Sequence, residues 1–104
     1  MSNRVEDLEP WLQPWARWLL SLVPSAQLTS TRRTSQQQLQ LYNAYLRGES
    51  KYPAAPPGRS MHEYGRAFDL FLQDPRMLDE LGQIWESVGG TWGGRGSDPI
   101  HFEA

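Results

Sequence analysis

At 104 residues without a cysteine, the chain is long enough for one domain with its own core. Disulfides and thiolate metal sites are excluded, so any bound metal must take nitrogen and oxygen ligands. A formal charge of −2 leaves no basic face for nucleic acid, and Arg32-Arg33 is a pair rather than a patch.

The first residues, Met1-Ser2-Asn3-Arg4-Val5-Glu6-Asp7, carry acidic groups where a secretory signal places positive charge. The most apolar segment, 11–23, is too short to span a bilayer and contains Arg17 and Pro14. Synthesis in the cytoplasm without an export signal is expected, as are the lack of stable membrane insertion and a monomeric state. Leu8, Trp11, Leu12, Trp15, Trp18, Leu19 and Leu22 recur at three- and four-residue steps and predict an amphipathic helix. Pro10 or Pro14 fits its first turn and Pro24 marks its end. Its three tryptophans read as large core anchors rather than as a sugar- or membrane-contacting face.

Residues 27–31 predict a short strand. A second helix is expected over 35–46, capped by Thr34 or Ser35 and stopped by Gly48, with Leu39, Tyr42, Ala44 and Leu46 among its apolar positions. Segment 49–58 has no period and several breakers, and reads as a surface loop. A strand over 67–72 follows. The third helix, 77–88, carries Met77, Leu78, Leu81, Ile84, Trp85 and Val88 on its buried stripe, with Asp74-Pro75 at its start and Gly89-Gly90 at its end. Residues 92–96 read as a glycine-rich turn and 99–103 as a last short strand. Helices and strands are segregated, which predicts an α+β class: a small antiparallel sheet packed against about three helices in a single domain over 1–104.

The only two histidines each lie near a carboxylate. His62, in a turn leading into the strand at 67–72, can meet Asp69 within that strand. Asp69 is flanked by Phe68, Leu70 and Phe71, and a carboxylate in so apolar a run is costly unless it is paired or binds a cation. Downstream, strand alternation puts Glu103 on the face of His101, whereas a bend at Pro99 would bring Asp98 to the same cavity. Two imidazoles and one carboxylate suffice to hold zinc and leave a coordination position open. A further acid can then transfer protons, and periodicity alone leaves both Asp98 and Glu103 available for that task.

Ser60-x-His62-x-x-Gly65-x-Ala67-x-Asp69-Leu70, followed by Trp92-Gly93-Gly94 and Asp98-x-x-His101-Phe102, resembles the zinc peptidases that cut peptidoglycan stem peptides. These are the D-alanyl-D-alanine carboxypeptidases and the L-alanyl-D-glutamate endopeptidases, phage endolysins included. Thr29-Ser30-x-x-Arg33-Thr34-x-x-x-Gln38-x-x-Leu41-Tyr42 is similar to the family's arginine block, so the resemblance runs over about 28–102.

The resemblance implies a hydrolase with Zn2+ as cofactor, held by His62, Asp69 and His101, and a peptidoglycan peptide as substrate. It further implies Asp98 as general acid/base and Arg33 as the cation that binds and steadies the substrate carbonyl. Ser60 would hydrogen-bond substrate or orient the site. Gly65, Gly93 and Gly94 suit close backbone approach or positive φ, though plain turns explain them equally. The Asp-x-x-His-Phe form is more similar to the endopeptidases than to the Glu-x-x-His of the carboxypeptidases. An endopeptidase acting on the cell wall, if the gene is phage-derived, is therefore the expected reading. The alternatives are a D-alanyl-D-alanine carboxypeptidase, a non-catalytic zinc-containing binding domain on the same scaffold, and a metal-free domain with a buried Asp69–His101 ion pair. One departure stands out: Arg95-Gly96-Ser97 is shorter than the family's segment there, which alters one wall of the cleft.

Overall fold

Ala67 to Phe71 forms the strand around which the rest is built, because alternate side chains of that run serve two different faces. The computed structural model describes residues 1–104. A 3-10 turn (Val5–Asp7) leads to α1 (Gln13–Ser21), β1 (Gln27–Ser30) and α2 (Ser35–Leu46). A second 3-10 turn (Met61–Tyr64) feeds β2 (Ala67–Phe71), then α3 (Arg76–Ser87), β3 (Thr91–Trp92), a last 3-10 turn (Gly93–Arg95) and β4 (His101–Glu103). The strand order is β1-β2-β4-β3, with every neighbour antiparallel. The α+β architecture is thus the one expected, and no helix is long and apolar enough to cross a membrane.

Register assigns the faces. Phe68 lies opposite Phe102, and Trp92 opposite Phe102, on the core side; Asp69 lies opposite His101, and Ala67 opposite Glu103, on the other. Phe68 stacks on Phe102 at 5.6 Å between ring centroids and meets Trp85 of α3 edge-on at 5.4 Å. Such pairs add about 0.5–1.5 kcal/mol beyond the area they bury. Leu78 and Leu81 of α3 join from the same helix, and Leu12, Ala16 and Leu19 come from the α1 side. Both buried indoles are satisfied: Trp85 Nε1 donates to the Glu103 carbonyl at 2.9 Å and Trp92 Nε1 to that of Pro99 at 2.8 Å.

Three expectations are corrected. Trp11, Trp15 and Trp18 are not core anchors; they are 51%, 47% and 37% exposed. The buried stripe of this helix and its lead-in is Leu8, Leu12, Ala16, Leu19 and Val23. At roughly 100° per residue, the tryptophans and Leu22 centre about 90° away from that stripe. One short helix buries one face, and small Ala16 lets that face approach closely. Second, Thr91 and Trp92 are a strand rather than the start of a turn, pairing with Glu103 and Phe102. Third, Val88 of the predicted α3 stripe is 42% exposed, because the helix stops at Ser87 before it can turn inward.

Helix α2 runs over its expected residues, with a reciprocal Thr34/Gln37 capping box at its start. Yet Leu39 and Leu46 are exposed, and Gln38 is its one buried residue. Gln38 Nε2 donates to the Ala55 carbonyl at 2.8 Å, tying the 49–58 loop to the helix.

Candidate metal centre

His62 is delivered by the turn Met61–Tyr64. Ser60 caps that turn, accepting from the His62 amide at 3.3 Å, and Glu63 reaches back to the Ser60 amide at 3.2 Å. Gly65 ends it at φ +68°, where a side chain would strain the backbone and a Cβ would sit 3.2 Å from the Glu9 nitrogen. The His62 carbonyl accepts from the Arg33 amide at 3.0 Å. Its imidazole is 1% exposed and is fixed by a 2.5 Å contact between Nδ1 and the Thr31 carbonyl. A carbonyl can only accept, so Nδ1 carries a proton, and Nε2 is the nitrogen left either to donate to Asp69 or to give its lone pair to an ion. Nε2 points at Asp69 Oδ1, 3.1 Å away.

Antiparallel register brings the third group: His101 on β4 faces Asp69 on β2, with Nδ1 3.4 Å from the same Oδ1. One ligand atom from each of His62, Asp69 and His101 lies within 4.8 Å of the others. Zinc bonds of about 2.0–2.2 Å in a tetrahedron put donor atoms about 3.3 Å apart. The observed 3.1 and 3.4 Å edges match that spacing, and the nitrogen–oxygen donor set is one zinc accepts. The three residues therefore fit the ion.

Asp98 arrives by a different route. The Gly93 carbonyl accepts from the amides of Gly96 and Asp98 at 3.0 and 3.1 Å, and the Asp98 carbonyl accepts from the His101 amide at 3.1 Å. This closes the short turn before β4. Gly93 is required there, since a Cβ would overlap the Asp98 carbonyl oxygen. Asp98 Oδ1 is buried without a hydrogen-bond partner. Burial raises its pKa, against the pull of nearby His101. Arg33 donates from Nη2 to Asp69 Oδ2 at 2.9 Å and from Nη1 to Gln38 Oε1 at 3.3 Å, leaving Nε buried and unpaired. Burial also lowers the pKa of Arg33.

Arg33, His62, Asp69, Asp98 and His101 line one cavity of about 150 Å³, walled by Tyr52, Pro53 and Ala54 of the 49–58 loop. Of the residues singled out from sequence, Ser60 lies outside this lining, buried under the turn it caps. Glu103 also lies outside it, bonded to His101 Nε2 at 2.8 Å. Two contributors were missed: the Thr31 carbonyl, which no side-chain pattern reveals, and the loop wall, which composition marked only as irregular. Gln38 stood within the arginine block, but its bonds to Arg33, five residues away, and to Ala55, seventeen away, have no signature in one sequence.

Burial alone would raise Asp69, but hydrogen bonds from His101 and His62 and the charge of Arg33 hold it well below the usual carboxylate range. Burial alone would lower His101, but its bonds to Asp69 and Glu103 outweigh that and raise it to about 9. The folded value exceeds the unfolded one of roughly 6.5, so the metal-free chain has the full stabilisation below about pH 6.5. That stabilisation is lost as pH rises through about 9. Thermal denaturation of the metal-free protein should show Tm falling over this window, and the fall should vanish in His101→Asn. A wild-type Tm that holds or rises there would remove the ion pair from the account.

Residues 54–104 match the profile of the family described as D-alanyl-D-alanine carboxypeptidase. No curated protein sequence matches the chain. Among solved structures, the fold is similar to the vancomycin-resistance D,D-pentapeptidase VanY in complex with Zn(II). The TM-score is 0.72 at 16% identity, over 92% of this chain and 71% of that one. It is also similar to the L-Ala D-Glu endopeptidase ChiX of Serratia marcescens, with TM-score 0.69, 19% identity, and coverage of 95% and 81%. The D,D-dipeptidase VanXYg, bound to a D-Ala-D-Ala phosphinate analogue, matches at TM-score 0.68 and 21% identity over 92% of this chain. The chain spans only 49% of VanXYg's length.

Proposed function

We propose that the chain, whose residues 54–104 match the family described as D-alanyl-D-alanine carboxypeptidase, is a zinc-dependent peptidase of peptidoglycan stem peptides. The observation that carries this reading is the convergence of His62 Nε2, Asp69 Oδ1 and His101 Nδ1 beside the unpaired buried oxygen of Asp98. A metal-free ion-pair domain would have no use for that fourth group. Neither Asp98 nor Arg33 is needed to hold a metal, which argues against a purely binding role.

His62, Asp69 and His101 would hold the ion. Zinc bound there supplies a more acidic water and a polarised scissile carbonyl. Asp98, the one acid of the cavity outside the donor set, takes the proton of the attacking water and returns it to the leaving amine. That task needs only a carboxylate within hydrogen-bond reach. Arg33 contributes fixed positive charge where the carbonyl oxygen becomes negative, an effect of about 3–4 kcal/mol per donor in comparable sites. Its Nη2 and Nη1 are held by Asp69 and Gln38, which fixes the guanidinium at the edge of the cavity. The loop wall at 52–54 excludes water from one side.

Cleavage of the L-alanyl-D-glutamate bond is the favoured specificity, supported by the resemblance of Asp98-Pro99-Ile100-His101-Phe102 to the endopeptidase form. Removal of a terminal D-alanine is the second reading, supported by the description of the matching family. Digestion of purified peptidoglycan with mass spectrometry of the released peptides separates them. New amino termini on D-glutamate support the endopeptidase, and free D-alanine the carboxypeptidase. No release by a zinc-replete chain leaves the non-catalytic reading. Zinc content near zero after metal-replete purification overturns the metallopeptidase altogether.

A further inference from the structure

We propose that Glu103 is a positioning residue of this centre: its carboxylate accepts the Nε2–H of His101 and so reserves Nδ1 for an ion held between that nitrogen and Asp69. The inference rests on the zinc reading above, but its evidence is separate. Glu103 lies two residues beyond His101 on β4, hence on the same face of the sheet. Its Oε1 is 2.8 Å from His101 Nε2, and its side chain makes no other hydrogen bond or ion pair. It stands behind the imidazole, outside the cavity that holds Asp98.

A neutral imidazole has one N–H and one lone pair. Metal-free, the ring of His101 lies between two carboxylates and satisfies both only as the imidazolium; with an ion at Nδ1 its one remaining N–H must be at Nε2, where Glu103 accepts it. His62 is held in the opposite sense, with Nδ1 on the Thr31 carbonyl and Nε2 toward Asp69. The two histidines thus present different nitrogens to one point, each fixed by an acceptor on its far side. One acceptor is backbone, which substitution cannot remove. The other is a side chain, which makes Glu103 the tunable half of the arrangement. Outer-shell partners of this type typically change metal affinity about 10–100-fold when lost.

The test uses the full chain. Zinc affinity is measured by chelator competition for wild type, Glu103→Ala and Glu103→Gln, with the Co(II) absorption spectrum as a second readout. Glu103→Ala should bind zinc about 10–100-fold more weakly and shift the Co(II) bands. Glu103→Gln should recover most of the affinity, because its amide oxygen accepts the same N–H. A Glu103→Ala affinity within about twofold of wild type, or equal losses in both variants, overturns the proposal. Nitrogen-15 shifts of the zinc-loaded wild type need no substitution: His101 should show a protonated Nε2 and a bound Nδ1, and the reverse pattern overturns the assignment. A wild type that binds no zinc would instead overturn the proposed function itself.

Discussion

Asp98→Asn should lower the turnover of peptidoglycan peptides by about 10²–10⁴-fold, the range for a lost general acid/base, while leaving zinc content unchanged. The asparagine has nearly the same shape, and the bonds that hold position 98 are backbone ones: its amide to the Gly93 carbonyl and its carbonyl to the His101 amide. Neither changes with the side chain. The lost feature is the ability to take a proton. Burial, which raises the Asp98 pKa, brings the group closer to the range where it can both accept and return one. Single-turnover rates and metal analysis on the same preparation provide the check. A variant that keeps near-normal rates would move the acid/base role elsewhere.

Asp69→Ala should have the largest structural effect, costing about 3–5 kcal/mol in the metal-free chain and abolishing stoichiometric zinc. Asp69 is the shared partner of three groups: Arg33 at 2.9 Å, His62 at 3.1 Å and His101 at 3.4 Å. The Arg33 side chain is only 12% exposed. Without Asp69 its charge remains buried with no ion-pair partner, which is the costly way to break such a pair. Urea denaturation of metal-free wild type and variant measures the cost, and Arg33→Leu combined with Asp69→Ala should recover part of it. Equal stability of the single variant and wild type would mean that the pair contributes nothing to the fold.

These two aspartates also mark how far the sequence could be read. Asp69 was legible because its neighbours are apolar, and an unpaired carboxylate there is too costly to ignore. The Thr34 cap and the bounds of α2 were legible because capping is local. Asp98 was left open by periodicity, since alternation pointed at Glu103, and only the resemblance chose between them. The deciding contacts are the Gly93 carbonyl and the bend at Pro99, neither of which has a period. The tryptophans of α1 misled for a related reason. Two adjacent apolar stripes both repeat at three and four residues, and only the packed partner selects Leu12, Ala16 and Leu19 over Trp11, Trp15 and Trp18. Strand β3 was missed because two residues cannot display alternation; its evidence is the pairing of Trp92 with Phe102.

The three candidate ligands come from two paired strands and a capped turn, whereas Asp98 hangs on a short turn closed by the carbonyl oxygens of Gly93 and of Asp98 itself. The proposed acid and the proposed ligands therefore rest on different elements, joined by one bond from the His101 amide to the Asp98 carbonyl. On the proposed roles, lengthening or shortening 94–97 would re-aim the acid and reshape the cleft, and would touch the ligand set only at His101, whose pairing with Asp69 across β2 and β4 remains. If the proposed roles hold, substrate choice and turnover are what a change of a few residues in this turn would alter first, with metal binding the better protected.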